Sequence, residues 1–180
     1  AHRPRLPWTE RCPRPPTVLR PTFLDAGDPT AVIATVLTIY ELRTGKQVAI
    51  GFNAAQSNQI VDMRQCPLLL PELFALIAPL RELLATIAQQ KRPVKVKLQM
   101  LDQGVEVILE GVKADGLDAA MALQDFAGTH KLARFAVDQG HGLETLWQPE
   151  PPTVRFGDVT VEVPAFSFLQ PTAMGQTALV

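Results

Sequence analysis

Cysteine is nearly missing from this chain: Cys12 and Cys66 are the only two in 180 residues. Two thiols cannot build the multi-bridge framework that staples small secreted domains, so a reduced, cytoplasmic setting is expected. Charge is also sparse, at 19% of residues, and it is balanced to a formal net charge of −1. A stand-alone nucleic-acid binder usually carries a clear basic excess, so RNA or DNA binding would need help from a partner domain. No apolar run approaches the roughly 18–20 residues that span a bilayer, and no membrane partner is expected. The first residues, Ala1-His2-Arg3-Pro4-Arg5, lack the apolar stretch of a signal peptide and a starting Met, and they read as cut from something longer. A glycine-rich phosphate loop, a helical His-Glu-x-x-His, a Cys-x-x-Cys and a Gly-x-Ser-x-Gly elbow are all missing. The three histidines, His2, His130 and His141, fall in a tail, a helix exit and a turn, where exposure is the expected fate.

What is present is a core. Hydrophobic residues make up 47% of the chain, which rules out a disordered one. Seven prolines fall within residues 1–30, beside Arg3, Arg5, Arg11, Arg14 and Arg20. Proline gives no N–H and biases its predecessor away from helix, so this stretch is expected to be an extended arm. It is either a basic RNA-touching arm or a solvated linker.

From Ala31 the pattern changes. Ala31 to Leu42 and Gln47 to Phe52 are rich in β-branched residues and read as a hairpin across Arg43-Thr44-Gly45-Lys46. Gln59 to Asp62 follows as a short strand. Pro71 to Gln90 places Leu73, Phe74, Ile77, Leu80, Leu84 and Ile87 three and four apart, one apolar face of a helix. Pro79 inside it is expected to kink the helix or restart it. Val94 to Leu101 alternates apolar and polar residues as a half-buried strand does, and Val105 to Leu109 returns as its hairpin arm. Asp115 to Gly128 reads as a helix, and Leu132 to Val137 and Leu143 to Trp147 as strands. Val154 to Phe156 and Val159 to Val163 flank Gly157-Asp158, a short-hairpin signal. Thr172 to Val180 reads as the start of a helix. The expected architecture is α+β: an antiparallel sheet with two helices on one face across 31–150, and 151–180 as a hairpin leading onward.

Cys66 lies just after a strand and just before a proline-opened helix, where rigid elements would position a ligand thiolate. A single cysteine is more often a small buried hydrophobe. The surrounding residues bear on that choice. Gly51-Phe52-Asn53 and then Gln59-Ile60-Val61-Asp62-Met63-Arg64-Gln65-Cys66-Pro67-Leu68-Leu69-Leu70-Pro71-Glu72-Leu73 closely resemble the middle domain of S-adenosylmethionine-dependent RNA uracil-C5 methyltransferases. The tail Val163-Pro164-Ala165-Phe166-Ser167-Phe168-Leu169-Gln170-Pro171-Thr172-Ala173 resembles that family's lead-in to its Rossmann-like methyltransferase domain. The two signatures stand in the family's order, and the likeness runs from about Ala31 onward, loosest across 93–150.

The resemblance implies an enzyme that methylates C5 of a uridine in rRNA or tRNA, this chain lacking the catalytic centre. It implies that Gln170 contacts S-adenosylmethionine and that Cys66 is one of four cysteines holding a [4Fe–4S] cluster. It also implies a monomer whose RNA partner is held by the whole protein. In the family a cysteine thiolate attacks uracil C6, C5 takes the methyl group, and a base removes the C5 proton. Thiolate attack is what makes C5 nucleophilic. Here no three clustered cysteines precede Ala31, Thr172 stands where many members have asparagine, and Ala31 to Tyr40 lacks the arginines common there. A non-catalytic RNA-positioning domain, with Lys91, Arg92, Lys95 and Lys97 as its basic face, or a protein-interaction domain is the alternative.

Overall fold

The computed structural model describes residues 34–41, 48–54, 60–87, 94–165 and 167–178; side chains are described from residue 48 onward. The arm at 1–30 and the 43–46 turn lie outside these residues. Strands β1 (Ala34–Glu41), β2 (Val48–Asn53) and β3 (Ile60–Asp62) precede two helices, α1 (Pro71–Ala75) and α2 (Ile77–Ile87). Strands β4 (Val94–Leu101) and β5 (Gly104–Glu110) follow, then α3 (Leu117–Thr129), β6 (Arg134–Asp138) and β7 (Leu143–Trp147). The chain closes with β8 (Thr153–Phe156), β9 (Val159–Glu162) and the short α4 (Ala173–Thr177).

Strands β1 to β7 form one sheet in the order β3-β2-β1-β4-β5-β6-β7, and β8 and β9 pair separately. The expected sheet was wholly antiparallel; one pair departs from that. β5 and β6 run parallel, Val107 beside Phe135 and Leu109 beside Val137. The cause is α3. A tight turn returns the next strand antiparallel, whereas an intervening helix carries the chain back to the starting end of the sheet. The helices and the inner faces of the strands share one core, in which Leu73, Leu80 and Leu84 meet Ile50, Val96, Val107 and Phe135. Each such fully buried aliphatic side chain contributes about 1.5–3 kcal/mol.

The Pro71–Gln90 helix is two helices. Pro79 has no N–H to give to Ala75, so a continuous helix would leave that carbonyl open. The chain breaks three residues earlier: Leu76 N–H bonds to Leu73 at 3.3 Å, and Leu80 N–H restarts the ladder on Leu76 at 2.9 Å. Pro79 then lies in the first turn of α2, where a missing N–H costs little. His130 also departs from expectation. It is half-buried, its ring 4.5 Å from that of Phe126.

A smaller cluster joins the two sheets. Leu101 and Ala133 at the edge of the large sheet pack with Val154, Val163 and Leu169 from the following segment. Polar bonds reinforce it. Gln103 in the β4–β5 turn accepts from Thr153 N–H at 2.8 Å, and Asp102 N–H donates to the Thr153 carbonyl at 2.9 Å.

Candidate functional site

The segment after β9 carries Gln170, and its shape follows from a short run of local contacts. Val163 is buried, with its N–H on the Pro152 carbonyl at 2.8 Å. A turn follows in which Ser167 N–H and Oγ both donate to the Pro164 carbonyl, at 3.1 and 2.7 Å. Phe168 then points outward, 80% exposed, while Leu169 turns back into the small cluster. Gln170 is half-buried. Thr172 caps α4, its Oγ1 accepting from Gly175 N–H at 3.1 Å. A Cβ on Gly175 would stand 3.2 Å from Thr172 Oγ1 and 3.4 Å from Gln170 Cβ, so the Gln170 side chain lies over the first turn of α4. In α4 the amide nitrogen of Gln176 is buried with no hydrogen-bond partner among the described residues. A buried amide donor without an acceptor is costly.

Cys66 occupies a different place. It is 3% exposed and belongs to the main core with Leu69, Leu70 and Leu73. A [4Fe–4S] cluster takes four thiolates. The chain has two cysteines, and among the described residues no group of three His, Cys, Asp or Glu side chains converges to hold a metal. The residues of this chain do not by themselves fit a cluster, and no chemistry below is routed through one. Cys66 and Gln170 are not brought together by any contact the structure describes.

The signature around Cys66 has a structural content that pattern reading missed. Gly51 pairs with Asp62 across β2 and β3. A Cβ at Gly51 would overlap the Val61 carbonyl and stand 3.2 Å from Met63 N, so only glycine lets β3 lie so close. Asp62 ends β3, and its carboxylate continues the pairing: Oδ1 accepts from Ile50 N–H at 3.1 Å and from Arg81 Nη2 at 2.7 Å. Arg81 Nε also donates to the Val48 carbonyl at 3.0 Å. Gly51, Asp62 and Arg81 thus clip α2 to the sheet edge. The signal was available in an Asp closing a short strand and an Arg on the helix.

Two lysines of the expected basic face share one carboxylate. Lys97 meets Glu110 at 2.6 Å and Lys95 meets the same carboxylate at 3.9 Å. Lys91 and Arg92 lie outside the described residues. On the same face of the sheet, three cross-strand neighbours form a buried polar row. Gln99 donates to Glu106, and Arg134 Nη1 meets the other Glu106 oxygen at 2.6 Å. Arg134 Nη2 donates to the Val163 carbonyl at 2.6 Å and its Nε to Gln148 Oε1 at 2.9 Å. Glu106 and Arg134 are only 1% and 2% exposed. Burial raises the Glu106 carboxyl above its ordinary value, while Arg134, then Gln99 and Lys97, pull it back.

An open cleft of about 230 Å³ lies between the sheet edge and Pro149, lined by Lys131, Leu132 and Trp147 among others. Two of its polar side chains are already engaged: Trp147 Nε1 donates to the Leu132 carbonyl at 2.9 Å, and both ends of the Gln103 amide bond to Thr153. Among the described residues no helix is long and apolar enough to cross a membrane.

No protein-family profile matches the chain. An RNA methyltransferase of Zymomonas mobilis, itself uncharacterized, is 36% identical over 138 residues, covering 77% of this chain and 35% of that protein. The 23S rRNA (uracil(1939)-C(5))-methyltransferase RlmD of an Enterobacter species is 33% identical over 112 residues, covering 62% of this chain and 26% of that protein. The chain thus spans about a third of the length of such relatives or less. The fold matches that of Pyrococcus abyssi tRNA (uracil-54, C5)-methyltransferase, solved with S-adenosyl-L-homocysteine. The TM-score is 0.58 at 16% identity, over 88% of this chain and 42% of that one.

Proposed function

As a relative of the RNA uracil-C5 methyltransferases, the chain is, we propose, one portion of an enzyme that methylates C5 of a uridine in rRNA or tRNA. Residues 31–150 form its central domain, and 151–180 lead into the methyltransferase domain. The catalytic thiolate comes from outside these residues: of the two cysteines here, Cys12 falls in the proline-rich arm and Cys66 is buried. RNA binding belongs to the whole protein: Lys95 and Lys97 share the one Glu110 carboxylate and keep a single net positive charge between them.

The observation that carries this reading is the local build around Gln170. The side chain is held over the turn that Thr172 caps, in the position where the sequence resembles the family's donor-contacting glutamine. S-adenosylmethionine, when bound, supplies an electrophilic methyl group. Gln170 then serves as a neutral amide that hydrogen-bonds and orients the donor without altering its charge. Cys66 is disulfide-bonded in this structure, so it is a cluster ligand only once reduced and only together with three thiolates supplied from outside this chain. Iron and sulfide analysis of the purified whole protein tests that point separately.

The test of the main reading is transfer of radiolabel from methyl-labelled donor to a rRNA or tRNA transcript by the whole protein, followed by nucleoside digestion. Label in 5-methyluridine is the expected result. Label confined to another nucleoside, to protein or to small molecules would overturn the assignment.

A further inference from the structure

Glu106 and Arg134 form a fully buried ion pair in a sheet that could have been closed with apolar residues. Buried pairs of this kind are weak sources of stability, because desolvation offsets most of the Coulombic gain. What they supply is direction, since a guanidinium fixes its partners at set angles. Two of Arg134's three donor positions are spent outside its own sheet. Nη2 reaches the Val163 carbonyl at 2.6 Å and Nε reaches Gln148 at 2.9 Å. Glu106 and Gln99 hold the guanidinium from the other side.

Val163 is the first of two fixed points before Gln170. Its carbonyl is gripped by Arg134 and its side chain by the cluster that also receives Leu169. Between them lie only the Pro164–Ser167 turn and the outward Phe168. α4 beyond has five residues and no buried ones. The lead-in segment therefore has two anchors, one polar at Val163 and one apolar at Leu169. The polar one has two parts, the Val163 N–H on the Pro152 carbonyl and the Val163 carbonyl under the Arg134 guanidinium, and only the second comes from a side chain.

We propose that Arg134, held by Glu106 and Gln99, is a positioning residue that sets the geometry of the donor-contacting segment 163–172 by gripping the Val163 carbonyl. This rests on the reading of Gln170 as a donor contact. Lysine cannot replace Arg134, because a single ammonium cannot reach Glu106, Val163 and Gln148 in three fixed directions.

The experiment uses Arg134→Lys and, in case that variant folds poorly, the apolar set Gln99→Leu, Glu106→Leu and Arg134→Met, which leaves no buried charge unpaired. Amide hydrogen exchange on the 180-residue chain should show residues 167–178 exchanging about tenfold faster, with β2, β4 and α2 unchanged, because local opening is decoupled from global unfolding. In the whole protein, the affinity for S-adenosylhomocysteine by calorimetry should fall by about tenfold, and KM for the donor should rise more than kcat falls. Exchange that is unchanged, or faster everywhere in proportion, would overturn the proposal. So would a loosened segment with unaltered donor affinity while Gln170→Ala weakens it. If Gln170→Ala leaves donor affinity untouched, the Gln170 reading fails instead, and the exchange result alone still decides whether Arg134 holds the segment.

Discussion

Replacing Asp62 by alanine removes the clip between the sheet edge and α2, and its cost can be worked from the contacts. Ile50 is fully buried, and its N–H loses its acceptor at 3.1 Å. An orphaned buried backbone donor costs about 1–3 kcal/mol. The Arg81 contact at 2.7 Å involves side chains 30% and 28% exposed, so solvent screening holds it to roughly 1 kcal/mol. The total is about 3 kcal/mol, a sizeable share of the 5–15 kcal/mol that holds a typical domain. For a chain of this size that lowers Tm by roughly 6–12 °C. Asp62→Asn keeps an acceptor for Ile50 and loses only the charge, so it should cost about 1 kcal/mol. The assay is urea unfolding followed by circular dichroism, with Arg81→Ala closing a double-mutant cycle. The reasoning fails if Asp62→Ala lies within about 0.5 kcal/mol of the parent chain, or if asparagine is no better than alanine.

Two further outcomes follow from the same structure. Gly51→Ala should destabilise by about 3 kcal/mol or more, beyond ordinary overpacking, because the added carbon meets the Val61 backbone and not a movable side chain; a thermal melt within 2 °C of the parent chain's would refute this. The pH dependence has a definite sign. A carboxyl raised above its ordinary 4.5 by burial contributes stability that is present below that value and is lost as pH rises through the folded pKa. The urea stability of the parent chain minus that of the Gln99→Leu, Glu106→Leu, Arg134→Met variant should therefore fall as pH rises above about 4.5; a flat or rising difference contradicts it.

Periodicity made most elements legible. Val94–Leu101 lies where alternation placed it, because a half-buried strand writes its burial into its sequence, and Leu143–Trp147 lies where the Gly140-His141-Gly142 turn placed it. The parallel β5–β6 pair was less visible, since no single residue marks strand direction; it follows from the helix between the two strands. Pro79 correctly signalled a break, but the break lies at Leu76, where the missing hydrogen bond is felt and not where the proline stands. The buried row of Gln99, Glu106 and Arg134 was illegible for another reason. Each residue looks like an outward polar position of an alternating strand, and only strand pairing together with the covering segment buries them. In the same way, nothing in the alternation of β4 shows that Lys95 and Lys97 share the Glu110 carboxylate. At the candidate site, Gln170 was visible only through family likeness. Its support from Leu169, Thr172 and Gly175 came from the fold.

The most direct measurement of the central claim uses RNA carrying tritium at uracil C5, incubated with the whole protein and S-adenosylmethionine. Methylation at C5 must displace the hydrogen already there, so one tritium should enter water for each methyl group gained by the RNA. Methyl gain without tritium release would place the chemistry at another atom and contradict the account.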